Sequence, residues 1–116
     1  INYIRFNKRS NIISGVDSML KQYNYKLNNE TYNLCATNGW SNNPYLGRKD
    51  NWDNFWLKIL NNSKRKYVTI ELELQNEYRK DINELGFDKA IEKWGVYLYG
   101  NINNKKTVNH LNGRNK

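Results

Sequence analysis

Residues 67–74 read Tyr67-Val68-Thr69-Ile70-Glu71-Leu72-Glu73-Leu74. Val68, Ile70, Leu72 and Leu74 alternate with Thr69, Glu71 and Glu73, the period of an extended strand with one buried face and one wet face. This stretch decides the fold class, because the segments on either side have helical period. Upstream, Trp52, Phe55, Trp56, Ile59 and Leu60 fall at i, i+3, i+4, i+7 and i+8. That stripe predicts a core-facing helix over 51–61, capped by Asp50 or Asn51 and stopped at Asn61-Asn62. Downstream, residues 76–94 carry two stripes, Tyr78, Ile82 and Leu85, then Ala90, Ile91 and Trp94, with a break at Gly86 and a stop at Gly95. Val96–Tyr99 then reads as a last strand.

Outward from that centre, Ile1–Phe6 alternates weakly and predicts a short strand. Ser10 or Asn11 can cap a helix whose apolar stripe is Ile12, Ile13, Val16, Met19, Leu20 and Tyr23. Tyr23–Leu27 and Thr31–Cys35 flank Asn28-Asn29-Glu30, a hairpin pattern, since asparagine tolerates positive φ. Residues 36–49 hold Gly39, Asn42, Asn43, Pro44 and Gly47 and read as a long loop. Residues 101–116 form a polar tail. Helices and strands mix without regular βαβ alternation. The expectation is a single α+β domain over 1–116, a small, mainly antiparallel sheet with two or three helices packed on one face.

At 116 residues the chain has the length of one domain. Four Trp, nine Tyr and three Phe supply a core despite the modest apolar fraction. The 22 Asn are what a low-GC genome produces. Cys35 is the one cysteine, so an internal disulfide is excluded and a core position is expected. No stretch approaches 18 apolar residues, so no membrane-spanning segment is expected, and no signal peptide is visible. The chain opens on Ile1, so a fragment of a longer protein is expected and localisation is unreadable from the sequence. Oligomeric state is unreadable too.

Charge narrows the function classes. The chain carries 19 Lys and Arg against 11 Asp and Glu. Residues 71–95 reverse that sign with seven acids and four bases, between basic stretches of 1–70 and 96–116. A basic surface points to a polyanionic partner. Arg48-Lys49, Lys64-Arg65-Lys66 and Lys105-Lys106 lie in predicted loops or the tail, where they can follow a phosphate backbone and release its counterions. Trp40 and Tyr45 share a predicted loop with Arg48 and Lys49, so they are candidate stacking platforms for unpaired bases. The leading expectation is therefore a nucleic-acid-binding domain, RNA or single strands favoured, with no cofactor.

Two alternatives stand beside it. Glu71 and Glu73, on one face of the predicted strand with Cα atoms ~6.8 Å apart, could share Mg²⁺ with Asp53 or Asp81. A metal-dependent nuclease or toxin-type effector would use them that way. His110 with Arg114 is a weaker candidate for metal-free RNA cleavage. The other alternative is a non-enzymatic protein-interaction module whose charge serves solubility or an acidic partner.

Overall fold

In the computed structural model of the chain, the described residues are 1–6, 11–13, 15, 17–41, 44–62 and 69–103. Two asparagines start the sheet. Asn28 and Asn29 have φ of 49° and 68°, the consecutive left-handed pair that a two-residue type I′ turn requires. They join β2 (Leu20–Leu27) to β3 (Glu30–Thr37), paired antiparallel from Leu27↔Glu30 to Leu20↔Thr37. The hairpin is thus the predicted one, lengthened at both outer ends.

That lengthening takes Leu20 and Tyr23 out of the helix predicted after Ser10 or Asn11. The described residues between Asn11 and Met19 are not helical, and Ile12 and Ile13 are exposed rather than packed. Polar contacts override the apolar stripe here. The Asn11 side chain donates to the Tyr99 and Asn101 carbonyls, and Asp17 is drawn inward by Arg5 and Thr37. Gly15 sits at φ +56°, which a right-handed helix does not accommodate.

β1 (Tyr3–Arg5) lies inside the sheet, parallel to β5 (Val96–Tyr99) and antiparallel to β4 (Tyr45–Gly47). β3 also pairs with β5, so the order is β2-β3-β5-β1-β4. The sheet is mixed but mainly antiparallel, in a small α+β fold. β4 arises within the stretch 36–49 that composition marks as loop.

The first helical segment runs through α1 (Lys49–Asn51), a π-helical turn at Trp52–Trp56 and α2 (Leu57–Asn61). Its stripe faces the core as predicted, with Trp56 fully buried and Trp52, Phe55, Ile59 and Leu60 packed around it. α3 (Ile70–Leu85) corrects the strand expected over 67–74; Tyr67 and Val68 themselves lie outside the described residues. The alternation loses to helix-start chemistry. The Thr69 hydroxyl accepts from the Leu72 amide at 3.0 Å, and Glu71 and Glu73 sit in the first turn where the helix dipole favours anions. Leu74 and Tyr78, one turn apart, are both fully buried, whereas Ile70 and Leu72 are exposed. Gly86 breaks the helix as predicted, α4 (Phe87–Trp94) follows, and Gly95 closes it in the left-handed region.

The register assigns every strand residue to a side. Tyr3, Arg5, Cys35, Thr37, Val96 and Leu98 share one side and are all fully buried. The helices cover this side, with Tyr3 and Val96 packed against Trp40, Trp56, Leu74, Tyr78 and Trp94. α4 straddles the start of β5. Ala90 and Trp94 join the tryptophan cluster, while Ile91 and Phe87 reach the other side, against Leu34, Ala36 and Tyr97.

Two substitutions test this frame. Thr69→Ala removes the cap and lowers stability by about 1 kcal/mol, with Thr69→Ser restoring most of it; indifference to both in chemical denaturation would mean that α3 does not start there. At Gly95 an added Cβ would lie 2.8 Å from the Asn2 amide nitrogen at φ +62°. Gly95→Ala should therefore cost about 2 kcal/mol or more, read as a melting temperature about 10 °C lower.

Candidate nucleic-acid interface

The predicted stacking pair belongs to the core. Trp40 is fully buried, edge-on to Trp56 with ring centroids 5.6 Å apart. Tyr45 is half-buried and stacked on Tyr3 at 4.8 Å. Burial raises its pKa above that of an ordinary tyrosine, against a lowering contribution from Trp52. A base could reach Trp40 only after the helices lifted off, so the expectation is corrected for Trp40; Tyr45 is a half-buried ring packed on Tyr3. The backbone explains why. The Trp40 amide donates to Gln75 Oε1, and Gln75 Nε2 donates to the Asn38 carbonyl, tying the end of β3 to α3.

Arg48 and Lys49 are exposed, yet each holds an acid. Arg48 Nε and Nη2 contact the two Asp50 carboxylate oxygens at 3.1 and 2.7 Å, and Lys49 Nζ contacts Asp53 at 2.7 Å. Their positive charge is largely answered locally. Lys64, Arg65, Lys66, Lys105 and Lys106 lie outside the described residues, as do His110 and Arg114.

The two-carboxylate arrangement is also corrected. On a helix, positions two apart diverge by roughly 200°, so Glu71 and Glu73 do not share a face. Glu73 is buried and Glu71 half-buried. Asp53 is engaged by Lys49, and Asp81 accepts from Trp94 Nε1 at 2.7 Å and Lys93 Nζ at 2.9 Å. Among the described residues no group of three His, Cys, Asp or Glu side chains could hold a metal ion.

What the sequence reading missed is the other side of the sheet. By register, Tyr23 pairs with Leu34, Leu34 with Tyr99, and Phe6 follows β1 beside Tyr99. These four make one row across β2, β3, β5 and the end of β1, with Phe6 and Tyr99 ring centroids 5.5 Å apart. Tyr25 faces Tyr32 in a second row toward the hairpin turn. A third row holds Lys21, Ala36, Tyr97, Ile4 and Leu46, and Tyr97 approaches Tyr23 at 5.2 Å. So five tyrosines and one phenylalanine stand on a single sheet side.

α4 covers the third row and reaches Leu34 in the first, and Lys21 pairs with Asp88 at 2.8 Å. Tyr23, Tyr32 and Tyr99 remain 40, 38 and 43 % exposed. Between the rows lies a cavity of about 300 Å³ lined by Ile1, Ile4, Tyr25, Tyr32, Leu34 and Tyr99. The available signal was the spacing of two in Tyr23/Tyr25 and Tyr97/Tyr99. It identified strands, but the side they shared depended on register. Among the described residues no helix is long and apolar enough to cross a membrane. Comparison with protein-family models, curated proteins and solved structures found no match to this chain.

Cys35 is a core residue on the helix-covered side. Burial first, then the charge of Asp17, pushes its thiol pKa up to about 11. With so little thiolate at pH 8, iodoacetamide should alkylate the native chain roughly 100-fold or more slower than the denatured chain. Equal rates would place Cys35 at the surface.

Proposed function

We propose that the chain is a single-strand nucleic-acid-binding domain, with RNA the favoured ligand, and that the strand lies across the open tyrosine side of the sheet. One observation carries the reading: the exposed rings of Tyr23, Tyr32 and Tyr99, flanked by Tyr25 and Phe6, share one side of the sheet in a chain of net charge +8. Every base has a π-face, so successive rings on a rigid sheet offer stacking platforms without a fixed sequence requirement. A duplex keeps its bases stacked on one another, so this surface suits unpaired bases. Tyrosine hydroxyls at the rim can exchange hydrogen bonds with the 2′-hydroxyl, which favours RNA.

Phosphate neutralisation falls to the basic residues of the chain. Lys8 and Arg9 follow Phe6 in sequence, and Lys105 and Lys106 follow Tyr99 at a short remove. Lys64, Arg65 and Lys66 keep the phosphate role the sequence suggests. Arg48 and Lys49 contribute less, since each is already paired with an acid.

The test is fluorescence anisotropy with short labelled RNA and DNA strands and their duplexes. Affinity should favour the single strand and fall with salt, with a log–log slope of about −0.7 per phosphate neutralised. Tyr23→Ala and Tyr99→Ala should each weaken binding by about 1–3 kcal/mol, while the melting temperature stays near that of the parent chain because both rings are substantially exposed. Trp40→Phe should leave affinity unchanged in any protein that remains folded. Absence of binding at 50 mM salt, or binding by both tyrosine variants as tight as the parent's, would remove this reading and leave the aromatic side as a docking surface for a protein.

A further inference from the structure

Among the described strand residues, one acid stands on the tyrosine side where a polyanion is expected to lie. Glu30 shares that side of β3 with Tyr32 and Leu34, and it faces Leu27 across the hairpin. Tyr32 donates its hydroxyl hydrogen to Glu30 Oε2 at 2.6 Å. The bond anchors the carboxylate beside a tyrosine that lines the 300 Å³ cavity. A negative charge within a Debye length of bound phosphates weakens their binding. The opposition is offset if the carboxylate meets hydrogen-bond donors on the ligand. The backbone of a nucleic acid offers none but the 2′-hydroxyl, so the richest donors are base edges.

We infer that the cavity bounded by Tyr25, Tyr32 and Tyr99 takes one base of the strand, and that Glu30 selects guanine there. This rests on the single-strand reading of the same face. The cavity walls are aliphatic side chains and tyrosine rings, so a ring system can stack inside while its edge meets polar groups only at the rim. Guanine presents two neighbouring donors on its pairing edge, N1–H and the N2 amino group. An ionised carboxylate is acceptor-only, with about four lone-pair sites on two oxygens. One site is taken by Tyr32, and the remainder can accept both guanine donors. Adenine and cytosine place a ring-nitrogen acceptor beside their amino group, which a carboxylate repels. Uracil sets its single N3–H between two carbonyl oxygens. Glu30 is therefore a specificity-determining residue for one base of the bound strand, and Tyr32 both stacks and positions it.

The experiment measures anisotropy of labelled UUGUU, UUAUU, UUCUU and UUUUU RNA pentamers with the 116-residue chain and two variants. The parent chain should bind UUGUU about tenfold more tightly than the other three, within the discrimination a bidentate side-chain–base pair gives. Glu30→Gln should lose that guanine preference while binding UUUUU as well as the parent or better, since a repulsive charge is gone. Tyr32→Phe keeps the ring but releases the carboxylate. It should reduce the preference without abolishing binding, so the two variants separate selection from stacking. Equal binding of all four pentamers by the parent, or a guanine preference that survives Glu30→Gln, overturns the assignment while single-strand binding stands. Failure of every pentamer to bind at 50 mM salt defeats the single-strand reading itself, and the guanine site falls with it.

Discussion

The perpendicular contact between Trp40 and Trp56 holds the two layers together. Trp40 follows the end of β3, and Trp56 closes the π-helical turn between α1 and α2. Around them, Tyr3 lies 5.5 Å from Trp40, and Trp52 lies 4.9 Å from Trp56. Trp94 brings in α4 and stacks on Tyr78 of α3 at 4.8 Å. Edge-to-face and offset aromatic pairs each add about 0.5–1.5 kcal/mol beyond the area they bury. Strand end, both long helices and the turn before β5 thus converge on one cluster. All four tryptophans of the chain are used there. With the large apolar residues concentrated on that side, the opposite side of the sheet is left to tyrosines, whose hydroxyls tolerate water. The candidate interface is the complement of the core.

A second constraint sits next to the cluster. Arg5 is fully buried and paired with Asp17, whose Oδ1 also accepts from the Thr37 hydroxyl at 2.6 Å. Taking both charges out of water costs several kcal/mol per ion, and the pair returns that only with close geometry and further hydrogen bonds. Its structural effect is to fix where the segment before β2 lies, because Asp17 has to reach Arg5. That segment closes the helix-covered side of the sheet and delivers the chain to Leu20, where the aromatic hairpin begins.

Much of the fold is legible in the residues, and the failures have identifiable causes. Asn28-Asn29 declares a tight turn because few residues accept two left-handed positions in a row. Gly86 and Gly95 mark the ends of helices, and the stripe from Trp52 to Leu60 names its own buried face. Alternation over 67–74 misleads because Thr69, Glu71 and Glu73 favour a helix start, and neither the capping oxygen nor the dipole has a period. The stripe after Asn11 misleads because a buried ion pair between Arg5 and Asp17 is invisible until the sheet exists. The site is less legible still. Trp40 beside two basic residues looks like a nucleic-acid platform, but local sequence does not say that its amide binds Gln75 of a distant helix. Tyr23, Tyr32 and Tyr99 look unrelated along the chain. Only the pairing of β3 with both β2 and β5 sets them in neighbouring rows.

The place of β1 has a consequence for the order of assembly. This strand is first in the chain yet lies between two others, and its parallel neighbour β5 is separated from it by the whole helical region. Closing so large a loop is entropically expensive, and such non-local pairing makes folding slow. During synthesis, Tyr3–Arg5 leaves the ribosome long before Val96–Tyr99 exists. The β2–β3 hairpin and the β1–β4 pair can form in that interval, but β5, the middle strand that joins them, does not yet exist, and Arg5 has no finished interior to enter. Vectorial folding of this domain therefore leaves two separate strand pairs that only the late arrival of β5 can join into one sheet.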